Sequence, residues 1–217
     1  MSRESMIKTA LSFVGTKEGS SAHTALIDTY NRQNPLPRGY KMPYTGKGND
    51  WCAAFITAIA IISGNYDAIH PECGCPEMLK HMRERGMEID RKNARPGDVL
   101  FFCWDKSGEA QHVGFIVEVH SSKAKYTTCE GNISDSVVTR TFDRDDPRII
   151  AVCSPAYDDT PQLLDWQKTA VNWATKKGVS DGKRPNDTAT RSELMEMCRR
   201  TYVALLKDII KALGGNE

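Results

Sequence analysis

The 217 residues suit one domain of ordinary size with a small appendage, or one larger domain. With 29 Lys and Arg against 28 Asp and Glu, no global field draws the chain to nucleic acid or to an anionic membrane. A content of 40% hydrophobic and 26% charged residues excludes a disordered polyelectrolyte and fits a folded, water-soluble chain.

Met1 to Lys8 carries charges where a secretory signal needs an apolar core, so synthesis in the cytoplasm without a signal peptide is expected. The apolar run Ala53 to Ile62 is too short to span a bilayer. Seven cysteines, an odd number at irregular spacing, predict reduced thiols rather than a disulfide framework.

In chain order, Met6, Ile7, Ala10, Leu11 and Val14 recur at helical spacing and predict a helix from Arg3 to Val14, ended by Gly15. A second helix is expected from Ala22 to Asn31. Asn34 to Tyr40, with two prolines and a glycine, must be loop. Asn49-Asp50-Trp51-Cys52 then opens an apolar helix that runs to Ile62, placing a thiol at a helix N-terminus. Asp50 is expected to cap that helix and point away from the sulfur. Gly64 to Pro76 reads as irregular, with Cys73 and Cys75 inside it, and a short helix is expected from Glu77 to Arg85.

The period then changes. After a turn at Asn93 to Asp98, Val99 to Trp104 reads as a strand buried on both faces. Further strands are expected at His112 to Val119, Lys125 to Cys129, Val137 to Phe142 and Ile149 to Cys153. Helices first and an antiparallel meander second predict an α+β domain over residues 1–156. Residues 157–162 read as a linker. Residues 163–217 read as a small helical unit, with helices from Leu164 to Lys177 and from Arg191 to about Leu213.

A thiol at a helix N-terminus is more acidic than free cysteine, because unpaired N–H groups and the helix dipole favour an anion. A buried core cysteine is the competing reading of Cys52. A nucleophile needs a base, and the base needs an orienting group. His112 opens a strand after a turn and is followed by small Gly114, which would hold an imidazole at a sheet edge; a structural histidine is the alternative. His23, His70, His81 and His120 stand in polar or helical contexts and are expected to be solvated. Glu130-Gly131-Asn132 closes the next strand, and antiparallel pairing would bring it near His112; an ordinary turn is the alternative.

Taken together, Trp51-Cys52-Ala53-Ala54-Phe55, Pro96-Gly97-Asp98-Val99-Leu100-Phe101, His112-Val113-Gly114-Phe115-Ile116-Val117 and Glu130-Gly131-Asn132 resemble the ordered signature of the CHAP amidases and their NlpC/P60 relatives, over about residues 5–155. Leu36 to Cys52 is similar to phage-type endolysins. The resemblance implies a papain-like fold and a peptidoglycan hydrolase, an N-acetylmuramoyl-L-alanine amidase or endopeptidase that needs no cofactor and acts at the bacterial cell wall after release. It makes Cys52 the nucleophile, His112 the base and Glu130 the orienting group, with Asn132 as a further polar member of the catalytic set. The oxyanion would meet the Cys52 N–H and a second donor, for which Asn49 and Tyr44 are candidates. An inactive papain-like domain in a wall-binding protein, or a cysteine amidase toxin with another substrate, are the alternatives.

Asp165 to Ala174, Gly178 to Asp187 and Thr190 to Leu194 resemble a shortened S-layer homology module. That implies wall polysaccharide as a second partner, with Trp166, Trp173, Arg184 and Arg191 as candidate contacts. A helical clip that stabilises the enzyme or joins it into a homo-oligomer is the other reading. His70, Cys73, Cys75 and His81 match no standard zinc spacing, and no run of acidic residues offers a calcium site, so no metal is expected.

Overall fold

A computed structural model describes residues 2–46, 48, 50–157, 165–181 and 191–212, with backbone alone at 165–168, 191 and 192. The chain divides into two compact units, Met1–Asp159 and Thr160–Glu217.

The first unit is α+β. Its helices are α1 (Arg3–Ser12), α2 (Ser21–Asn31), α3 (Cys52–Ile62) and α4 (Cys75–Glu84). Its strands are β1 (Val99–Phe102), β2 (His112–His120), β3 (Lys125–Glu130), β4 (Val138–Asp143) and β5 (Ile149–Cys153). They form one sheet in the order β4-β3-β2-β1-β5, and every neighbouring pair is antiparallel. The expected meander is therefore observed, with β5 returning to the free side of β1.

The middle of the unit is α3. Cys52 through Ala60 are all buried, as a helix apolar on every face must be. It packs against β2, α1, α2 and α4. Val99, Phe101, Val113, Phe115, Cys129 and Ala151 join this helix-side core. The alternating residues Leu100, Phe102, Ile116, Tyr126, Phe142 and Val152 form a second cluster. Two cores on opposite faces explain why β1 lacks a polar residue, as its continuous apolar run predicts.

The N-terminal helix is pinned to the sheet by charge. Ser2 and Ser5 form a reciprocal cap on α1. Arg3 reaches Asp98 Oδ1 at 2.5 Å, the Pro96 carbonyl at 3.1 Å and Ser154 Oγ at 2.8 Å. Asp98 is fully buried, and its second oxygen accepts from the Arg95 N–H at 2.8 Å. Gly97 has φ +92°, and a β-carbon there would lie 2.9 Å from Arg3 Cγ, so the turn admits only glycine without strain.

Three expectations are corrected. Helix α4 begins at Cys75, two residues before the expected Glu77, because Pro76 occupies the first turn, where a missing N–H costs nothing. Asp50 does not cap α3: the cap position is Trp51, and no side chain bonds to it there. His23 is not solvated. It is fully buried on α2, its ring packed edge-on against Trp51 with the centroids 4.7 Å apart, and its Nδ1 accepts from the Gly19 N–H at 3.3 Å.

In the second unit the described elements are α5 (Asp165–Lys176) and α6 (Arg191–Ala212). Lys177 pairs with Asp208 at 2.5 Å, and the Val179 N–H donates to the Ala174 carbonyl at 2.8 Å, closing the end of α5. Val179 and Ala204 are buried, while Leu194, Met195, Tyr202, Leu205 and Ile209 of α6 are exposed.

Candidate active site

Cys52 is the first residue of α3, where backbone N–H groups have no partner within the helix. The Ala53 N–H and His112 both act on its sulfur to favour the thiolate. It also lies 3.4 Å from Cys75 Sγ, at the first residue of α4. The thiol is held well below the ordinary cysteine value, first by the bond from Cys75, then by His112 and the backbone, against a burial cost that works the other way.

His112 opens β2, and its Nε2 is 2.8 Å from Glu130 Oε2 at the end of β3. Both residues are buried, at 5% and 0% exposure. With Nε2 committed to the carboxylate, Nδ1 is the nitrogen left for the sulfur. Burial alone would lower the imidazole, but the bonds to Cys52 and Glu130 outweigh it, and His112 is raised to about 9. A thiol pulled down beside an imidazole pulled up favours the thiolate–imidazolium form of the pair at neutral pH.

Three features hold Glu130 in place; the sequence pointed to one of them, Gly114, and then for the imidazole rather than for the carboxylate. Thr128 Oγ1 donates to Oε1 at 2.5 Å, and Arg140 Nε donates to the same oxygen at 3.0 Å, while Arg140 Nη2 donates to Oε2. Burial would raise the Glu130 carboxyl, yet His112, Arg140 and Thr128 together keep it below its usual range. Gly114 leaves the space across which the Glu130 side chain runs. Arg140 in turn lies over the rings of Phe142 and Trp104, at 4.9 and 5.6 Å from their centroids. The signal available for Arg140 was its place on β4 across from Thr128, which needs the strand register to be known.

Aromatic rings wall the imidazole. Phe102 and Trp104 stack on each other at 5.1 Å, and their centroids lie 5.8 and 5.9 Å from that of His112. Trp104 is 40% exposed, so one face of this wall is open to a substrate. Close to the start of α3, a cavity of about 480 Å³ is lined by Arg38, Tyr40, Met42, Gly48, Asp50, Cys73 and Gly74.

Asn132 is half-buried in left-handed backbone (φ 62°), two residues beyond Glu130. The Tyr44 hydroxyl donates to Asp28 Oδ1 at 2.6 Å on an exposed surface. Asn49 and Arg184 lie outside the described residues, as do the side chains of Trp166 and Arg191. Trp173 is 40% exposed on α5. Of the zinc candidates, the His70 and His81 rings lie 4.2 Å apart, but Cys73 accepts from Arg38 at 3.3 Å and Cys75 turns toward Cys52. Among the described residues no three metal-binding side chains converge, and no helix is long and apolar enough to cross a membrane.

Residues 44–132 match the family model of the CHAP domain. Such domains are typically cysteine- and histidine-dependent amidohydrolases or peptidases. No curated protein and no solved structure matches the chain.

Proposed function

We propose that the protein is a peptidoglycan hydrolase of the endolysin type, cutting an amide bond of the bacterial cell wall through a thioester on Cys52. The observation that carries the reading is the continuous contact from Cys52 through His112 to Glu130, with Glu130 tied down by Arg140 and Thr128. A domain kept only for binding has no physical need of a buried thiolate–imidazolium pair.

The chemistry follows from the geometry. The Cys52 thiolate attacks the amide carbonyl, and the oxyanion is met by the Cys52 N–H at the start of α3. His112, as imidazolium, gives its proton to the leaving amine and then, as imidazole, takes one from the water that opens the thioester. Glu130 stays ionised throughout and holds the ring. The exposed Trp104 face and the cavity beside Asp50 offer room for the peptide and glycan flanking the bond.

The second unit carries none of these groups, and its proposed role is attachment to the wall, with exposed Trp173 as one contact. The test is digestion of purified peptidoglycan followed by mass spectrometry of the products. Wild type is expected to release fragments with a new amine and a new carboxyl group. Cys52→Ala is expected to release none while still sedimenting with the walls. Hydrolysis that persists in Cys52→Ala would overturn the reading.

A further inference from the structure

Amide hydrolysis through a thioester uses one thiol, yet the sulfur of Cys52 touches a second. Cys75 Sγ lies 3.4 Å away, and each cysteine is the first residue of its own helix. The two are buried to 5% and 6% exposure, so they face each other and not bulk solvent. The neighbouring thiols are directed elsewhere: Cys73 to Arg38, Cys103 to Asp105 and Cys129 to the Ala10 carbonyl. The mechanism above has no use for Cys75 as a nucleophile.

We propose that Cys52 and Cys75 form a reversible disulfide under peroxide, a modification that shuts the site and protects its nucleophile. The inference rests on the hydrolase reading only in taking Cys52 to be the reactive thiolate. In the first step that thiolate attacks the O–O bond of hydrogen peroxide. The sulfur keeps one oxygen as a sulfenic acid, and hydroxide leaves. In the second step Cys75 sulfur attacks Cys52 sulfur. The S–S bond forms, the S–O bond breaks, and the departing hydroxide leaves as water with the Cys75 proton. The sum is two thiols oxidised to one disulfide and one peroxide reduced to two waters.

The geometry favours the second step. The sulfurs must close from 3.4 Å to about 2.05 Å for the bond to form. While Cys52 is a thiolate, its charge and burial keep the Cys75 thiol protonated. Sulfenic acid formation removes that charge, and the N-terminus of α4 then favours the Cys75 thiolate. Without Cys75 the sulfenic acid would stay exposed to more peroxide and pass to the irreversible sulfinic acid.

The full-length protein is treated with hydrogen peroxide, blocked with an alkylating agent and digested without reductant for peptide mass spectrometry. The expected product joins the Cys52 and Cys75 peptides, and dithiothreitol restores hydrolysis to the level before treatment. Cys73→Ser should form the same bond. Cys75→Ser should form none, accumulate Cys52 sulfinic acid and fail to regain its own starting activity in dithiothreitol. Sulfinic acid at Cys52 in wild type with no joined peptide overturns the proposal, and that measurement needs no variant to fold. The mass readout is independent of any substrate, so absence of wall hydrolysis would overturn the proposed function and leave the disulfide result to stand by itself.

Discussion

A β-carbon built on Gly114 would lie 2.4 Å from Cγ of Glu130, closer than two carbons can approach. The carboxylate reaches His112 only because β2 presents a hydrogen at that position. Gly114→Ala is therefore expected to push Glu130 aside, at a stability cost of about 1–3 kcal/mol for the added volume. Hydrolysis should fall by roughly 10²–10⁴-fold, the range for losing acid–base function. Thermal unfolding and kcat/KM on the same preparation check both halves. Wild-type kcat/KM in Gly114→Ala would show that the Glu130 contact does not orient the base.

The pH dependence tests the ion pair directly. On the proposed mechanism activity needs Cys52 as thiolate and His112 as imidazolium, so the acid limb is expected to follow the depressed thiol and the alkaline limb His112 at about 9. The stability linkage has its own sign. His112 is raised above the ordinary 6.5, so its stabilising contribution is fully present below pH 6.5 and is lost as pH rises through about 9. In Glu130→Gln one of the two bonds that raise His112 is weakened, and the alkaline limb should move to lower pH. Alkylation of Cys52 by iodoacetamide reads the acid limb without substrate, since it follows the thiolate alone; kcat/KM across the pH range reads the alkaline limb. An alkaline limb that stays put in Glu130→Gln would remove Glu130 from the site.

Arg140 is expected to matter almost as much as Glu130 itself. It donates to both carboxylate oxygens while its plane rests on Phe142 and Trp104. Arg140→Met keeps much of the packing but removes the cation that faces a fully buried carboxylate. Glu130 should then titrate higher, and stability should fall by about 1.5–3 kcal/mol, the worth of hydrogen bonds to a charged group. Arg140→Lys keeps the charge without the two-pronged geometry and should recover stability better than activity. Equal activity in the Lys variant and wild type would show that the fork geometry is not used.

How much of this was legible follows from the kind of signal each residue carries. Helix and strand periodicity places Cys52, His112 and Glu130 at the ends of elements, and antiparallel order brings two of those ends together, but it left a core cysteine, a structural histidine and an ordinary turn open; the resemblance to the CHAP amidases is what singled the three out as a set. The sheet core was readable from that periodicity. Thr128, Arg140 and the Trp104 wall were not, since their roles depend on cross-strand register and on side-chain packing, which periodicity does not encode. Cys75 was read into an irregular segment because Pro76 looks like a breaker, although the first turn of a helix is where proline fits. His23 looked polar by its neighbours in sequence, but α2 turns it inward against Trp51.

The last prediction concerns the contact that fixes α1 to the sheet. Arg3 is 15% exposed and Asp98 is fully buried, 2.5 Å apart, so neither charge is well solvated when the other is removed. Asp98→Asn keeps the shape of the turn but removes the carboxylate charge that faces the Arg3 guanidinium. Breaking such a pair costs about 3–5 kcal/mol. For a domain of this size each kcal/mol lowers Tm by roughly 2–4 °C. Adding Arg3→Met removes the cation as well, and the double variant is expected to recover part of the loss. The recovery in the cycle measures the coupling. Asp98 is not part of the Cys52, His112 and Glu130 contact, so hydrolysis well below the unfolding transition should match wild type. Full additivity of the two single losses would show that the salt bridge contributes nothing beyond packing.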